Sequence, residues 1–317
     1  MAKRSRAGAA ADRRSAAVTS GQLDPGGPRR PCPCGSGKRY KACHGDTAAR
    51  SPFVSRPFAG LPAECDWVAM REFVPAATAA ISLLDGHQIL VCSLLPMAAP
   101  AMVRSDGSVW LGLQVQHDFG DPSRDLAHAL EQALAATAGS TIPVVEDPGT
   151  GPRLQDLVDP TESMTVEVHA GFDFWVADVD DPTGAIAASL ETANEAAWPT
   201  QRLSSVDAAY WTRMGQREFL RWVLPHDEDR LLDALARLHG DGTDSLGEQT
   251  RLIGSFRAYG LVVPVWELPR GTGADPLEQP AAELGERLAA ALADDAPLTA
   301  AQRSARNGLA SRQLTIH

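Results

Sequence analysis

Apolar positions along the chain change their period several times, and each change marks an element. Within residues 64–73, Trp67 and Met70 recur at helical spacing with Val74 just beyond, and Pro75 ends the run, which predicts a helix. The period then drops to two. Residues 78–84 and 88–95 read as strands flanking Asp85-Gly86, and residues 101–104 and 108–115 as strands flanking Asp106-Gly107. Asp-Gly between alternating runs signals a hairpin, because glycine accepts the positive φ that a tight turn needs. In the last of these strands Val109, Leu111, Leu113 and Val115 share one face. Two hairpins in succession predict an antiparallel meander.

Asp121-Pro122 opens a second helix, with aspartate at the cap and proline in the first turn; Leu126, Leu130 and Leu134 form its stripe and Gly139 follows it. Residues 142–145 are short and strand-like. Residues 164–170 alternate, with Met164, Val166 and Val168 inward, and residues 172–176 continue or pair with them. From Asp181-Pro182 the pattern reads as mainly helical. Ile186 and Leu190 mark one helix. Trp211, Met214, Phe219 and Trp222 mark another, ended by Pro225, and Leu231, Leu235 and Leu238 a third, followed by Gly240. Residues 247–259 read as a helix, and 261–266 as a strand that Pro264 places at a sheet edge. Leu284, Leu288 and Leu292 form a last amphipathic helix, and residues 298–317, with Arg303, Arg306 and Arg312, read as a basic surface helix or tail. The expected class is α+β: a small N-terminal knuckle, an antiparallel meander with helices over 63–178, and a mainly helical part over 179–297.

Charge divides the chain differently. Residues 1–45 hold ten Lys or Arg against Asp12 and Asp24, whereas the remainder holds nineteen Arg and thirty-eight acids. All three lysines, Lys3, Lys38 and Lys41, lie in the first segment. Residues 1–30 are rich in Ala, Gly, Ser and Arg and almost free of large apolar side chains, the composition of a disordered basic arm. A basic arm on an acidic body suits contact with anionic lipid or RNA, or with the acidic body itself. The 44% hydrophobic content supports a real core. No apolar run reaches the eighteen residues of a membrane span, and the basic N-terminus lacks the apolar stretch of a signal peptide. The five cysteines, three of them clustered, fit a cytoplasmic protein.

That cluster carries the densest chemistry. Residues 31–45 contain Cys32-x-Cys34, then Cys43-His44, with Gly35, Ser36 and Gly37 between the pairs. In an extended segment Cys32 and Cys34 point the same way. The glycines permit a tight turn, and 38–42 can wind back to bring Cys43 and His44 to the same point. Three thiolates and an imidazole suit tetrahedral zinc in a closed site, one ion per chain, and a thiolate-rich set can also accept iron. Lys38, Arg39, Tyr40 and Lys41 crowd this knuckle with basic and aromatic groups, which suit an acidic partner or phosphate as readily as they suit ordinary solvated surface. Residues 47–62 then read as a linker anchored by Phe53 and Phe58.

Residues 31–46 resemble the SEC-C motif, the small zinc-binding module at the C-terminus of the SecA translocation ATPase. The resemblance implies Cys32, Cys34, Cys43 and His44 as ligands, and a docking role, since the SecA module contacts an export chaperone and membrane lipid. No Gly-x4-Gly-Lys-Ser/Thr loop occurs, so the ATPase itself is not implied. The whole chain resembles actinobacterial proteins that carry this knuckle ahead of a body of unknown function, a resemblance that supplies no catalytic residue.

Other constellations are sparser. Asp118-Phe119-Gly120 lacks every other kinase signature and reads as a loop before a helix. Asp125, His128 and Glu131 share a helix face, and Glu167 and His169 a strand face. Residues 231–266 could form a winged-helix-like module bearing Arg251 and Arg257, but the nearby acids argue against sequence-specific DNA binding. The leading expectation is a non-enzymatic, zinc-binding docking adaptor for a translocase, an export chaperone or the ribosome. The rival is an enzyme whose site lies in the acidic body, around Asp118, Asp121, His128 or His169, with the knuckle accessory or purely structural.

Overall fold

Helix α1 (Glu64–Glu72) forms where its apolar spacing places it, and every residue from Cys65 to Arg71 is buried. Such burial means that the helix meets apolar neighbours on more than one side. The computed structural model, which describes residues 53–143, 147–176 and 185–311, places α1 in one core with residues from two sheets, among them Ile81, Val91 and Leu111 of the first and Tyr210, Phe256 and Val263 of the second. All described residues belong to the unit that begins at Arg50.

The first sheet starts with the two expected hairpins. β1 (Ala77–Ser82) pairs antiparallel with β2 (Gln88–Cys92), and β3 (Ala101–Val103) with β4 (Val109–Gly112). At each turn the aspartate accepts from the amide two residues on, Asp85 from His87 and Asp106 from Ser108, and Gly86 and Gly107 hold positive φ. The hairpins do not continue as a meander. β4 joins β2 in parallel, Ile89 opposite Val109, which puts β3 outside β4. β5 (Thr141–Ile142) and β6 (Glu167–Val168) close the two edges, so the order is β5-β3-β4-β2-β1-β6. β2 and β3 run antiparallel across β4, so residues 93–100 need only return along the same end of the sheet. Helix α2 (Pro122–Ala135) begins as expected: the Asp121 side chain accepts from the Ser123 amide and Pro122 opens the first turn. Its Leu126 and Leu130 are buried against this sheet. Residues 173–176 form a short 3-10 turn instead of a strand.

The α+β class holds, but within the second half two stretches read as helices run as strands. After helix α3 (Ala185–Ala196) and β7 (Thr200–Arg202), residues 209–222 form a hairpin of β8 (Ala209–Met214) and β9 (Arg217–Trp222). Gly215 and Gln216 make its two-residue turn, with positive φ only at Gly215, the form of a type II′ turn. The spacing of Trp211, Met214, Phe219 and Trp222 imitates a helix because these residues divide between two strands. Helix α4 (Glu228–Gly240) follows, capped by Asp227 through the Asp229 and Arg230 amides. The supposed helix over 247–259 is β10 (Arg251–Ala258), paired with β11 (Leu261–Leu268) around Tyr259-Gly260, both at positive φ.

β11 lies inside the sheet order β10-β11-β9-β8-β7, not at an edge. Counting back from the turn, Pro264 occupies a non-hydrogen-bonded position opposite Ser255. Its missing amide therefore faces away from β10, just before the ladder to β9 begins at Val265. One face of this sheet meets α1; the other, with Trp211, Trp222 and Trp266, packs on α4 and α5 (Glu278–Ala293). The chain's last described element is α6 (Ala300–Ser311), a regular helix with Leu309 buried in the same cluster.

Candidate functional site

Cys32, Cys34, Cys43 and His44, together with Lys38, Arg39, Tyr40 and Lys41, lie outside the described residues. Among the described residues no group of three or more His, Cys, Asp or Glu side chains is placed to hold a metal. Cys65 and Cys92 are free and buried, as small core residues should be.

The body residues singled out from the sequence do not converge. Asp121 caps α2 and binds Arg153 at 2.7 Å, and Asp118 accepts from the Gly120 amide at 2.7 Å. His128 lies 2.9 Å from Gln132 and 3.8 Å from Glu131 on α2. His169 stands beside the other edge of the first sheet, 2.8 Å from the Thr78 hydroxyl and tilted against the Phe174 ring, with exposed Glu167 3.9 Å away. Of Asp125, His128 and Glu131 only Asp125 is buried, so the three are not one ligand set. The winged-helix reading fails as well, because Arg251 and Arg257 stand on strand β10, paired with Glu267 and Glu228.

Two other polar clusters matter more, one at each end of α1. At its C-terminal end Arg71, 6% exposed, donates to the Leu113 carbonyl and lies over the Tyr259 ring. Asp125, 4% exposed, accepts from the Phe119 amide at 3.0 Å through one oxygen only. Its other oxygen, the Arg71 Nε and the His117 Nδ1 are buried without a hydrogen-bond partner. Burial, with Asp118 and Asp121 adding to it, pushes Asp125 up to about 6. Burial and the neighbouring Arg71 hold His117 below its ordinary value.

At the N-terminal end Asp66, 2% exposed, is fully satisfied. Arg202 of β7 grips both its oxygens, each at 3.0 Å, and the Tyr210 hydroxyl of β8 donates to it at 2.5 Å. A bidentate arginine and a phenol replace the water that a buried carboxylate loses. This knot forms one wall of a cleft of about 1030 Å³, whose other walls include Trp222 at the end of β9, the 223–227 loop, Met164, and Leu288 and Leu292 of α5. Chain pattern alone could not find it, because its walls come from five separated segments.

The fold holds several of the ionisable groups that line the cleft. Cys65 opens on it, but burial, then Glu64 and Asp66, push its thiol up to about 12, far from the thiolate a nucleophile requires. Asp66 and Arg202 are committed to each other. Asp227 is committed to the α4 cap, and Glu64 to Arg56 at 2.6 Å. His226 is held below its ordinary value by burial and by Arg230 and Arg56.

Comparison with protein families finds two matches. Residues 57–317 match a family of unknown function, DUF5926, and residues 31–46 match the SEC-C motif. No curated protein and no solved structure matches the chain.

Proposed function

The chain belongs to DUF5926, a family of unknown function, with a SEC-C motif ahead of the family region, and from that premise we propose that it is a cytoplasmic, zinc-binding docking adaptor. Cys32, Cys34, Cys43 and His44 hold one zinc ion. The knuckle so formed presents Lys38, Arg39, Tyr40 and Lys41 to a partner in protein biogenesis or export: a translocase, an export chaperone or the ribosome.

The observation that carries this reading is the SEC-C match over 31–46, which contains all four donor residues. The donor set fits the metal: three thiolates with one imidazole are the ligands of closed structural zinc sites. So short a loop has no core of its own. Metal binding would supply its folding energy, on the order of 10–16 kcal/mol in apparent terms near neutral pH for zinc-finger peptides. The charge division supports the docking role, since the positive charge gathers in residues 1–45 while the body is acidic. Among the described residues no helix is long and apolar enough to cross a membrane.

Metal analysis of the purified chain tests the ligand set. One equivalent of zinc is expected in the wild type and close to none in Cys43→Ser. Equal zinc in both would refute the assignment.

A further inference from the structure

The cleft beside the Asp66–Arg202 knot holds groups that its structural role leaves unused. Its apolar surface comes from Met164, Trp222, Leu288 and Leu292. Both arginines that line it are already engaged: Arg202 with Asp66, and Arg230 with the Leu292 carbonyl and Asp295. An anionic ligand would find no uncommitted cation there. The acids are less evenly engaged. Asp207 is fully exposed and only reaches Arg202 at 3.8 Å, and among the described residues Glu162 has no ion-pair partner. The available sign at the rim is therefore negative, over an apolar floor.

We propose that this cleft binds a short peptide segment of a partner protein, one that presents large apolar side chains flanked by lysine or arginine. Apolar side chains seat on the lining formed by Met164, Trp222 and Leu292, and the flanking cations meet Asp207 and Glu162. The volume suits several side chains together, since pockets that enclose a drug-sized ligand run to roughly 300–1,000 Å³. The anchors supply affinity and the rim charges select the sign of the partner. This inference does not depend on the zinc site.

The test uses the full-length chain and a labelled peptide alternating leucine and lysine, with affinity read by fluorescence anisotropy. Controls replace lysine by glutamate, or leucine by alanine. Asp207→Lys combined with Glu162→Lys reverses the rim without touching the core, and Ala289→Arg fills the cleft from an exposed position on α5. Each is expected to weaken the leucine–lysine peptide by about tenfold or more. Glu248→Lys, half the charge change of the double variant and outside the cleft lining, should leave it within about twofold. Equal binding of the glutamate or alanine peptide would overturn the proposal. So would unchanged affinity in both cleft variants, or a loss in Glu248→Lys as large as theirs, since binding would then reflect the acidic body as a whole.

Discussion

The two ends of α1 bury carboxylates at similar depth and treat them differently. Asp66 meets Arg202 through both oxygens and takes a third bond from Tyr210. Asp125, on the neighbouring α2, has one amide bond and an oxygen with no partner, beside an arginine whose Nε is equally unpaired. At similar burial, then, the two acids differ in the number of donors turned toward them. The N-terminal end of α1 is fastened to the second sheet by a satisfied ion pair, and that fastening shapes the cleft. The C-terminal end meets the 114–121 loop through Arg71, His117 and Asp125, each with a buried polar atom left unpaired.

The largest effect should come from breaking the satisfied pair. Arg202→Leu leaves Asp66 buried with only Tyr210, and is expected to destabilise the fold by about 3–5 kcal/mol in denaturant unfolding at pH 7. Removing both charges, as Asp66→Asn with Arg202→Leu, should restore part of that loss. If the single variant unfolded like wild type, Asp66 would not be the fastening described.

Asp125→Asn should act in the opposite direction. The folded protein holds the Asp125 proton up to about 6, against an ordinary value of 3.8. Between those values the folded state binds more proton than the unfolded state, so this group's contribution falls as pH rises from about 4 to 6 and stays low above it. Asparagine keeps the acceptor for the Phe119 amide and removes the buried charge. The variant should match or exceed wild type at pH 7, by on the order of 2 kcal/mol. It should also lose the decline in stability between pH 4 and 6. His117 has the reverse sign: its lowered folded value adds stability above the ordinary histidine range, and that stability is lost as pH falls. A clear loss of stability in Asp125→Asn at pH 7 would show that its charge is favoured in the fold. The smallest effect should come from the exposed carboxylate at the cleft, where Asp227→Ala removes only a helix cap and costs about 1 kcal/mol.

Local chemistry made the first half legible. The Asp85-Gly86 and Asp106-Gly107 turns and the Asp121-Pro122 helix start are each specified by adjacent residues, and each forms. What local chemistry does not contain is which strands meet. The parallel β2–β4 pair comes from long-range packing, and nothing in either Asp-Gly turn announces it. In the second half β9 and β10 run parallel with β11 between them, so the chain must cross from one end of the sheet to the other, which α4 accomplishes. The β8–β9 turn did carry a signal, Gly215 at the first turn position, but large apolar residues at helical spacing masked it. Tyr259 at positive φ carries none, because tyrosine seldom adopts that conformation. The Asp66 knot was equally hidden, since its partners lie more than a hundred residues away in the chain. Motif reading located 31–46, where the SEC-C match falls, while the cleft needed the assembled fold.

The most direct test of the docking role is a crosslinked pull-down from the organism that makes the protein, comparing wild type with Cys43→Ser at equal expression. Recovery of ribosomes, an export chaperone or translocase components with wild type, and their loss from Cys43→Ser, is the predicted result. Identical partner lists from the two proteins would contradict it and leave the zinc site a structural feature.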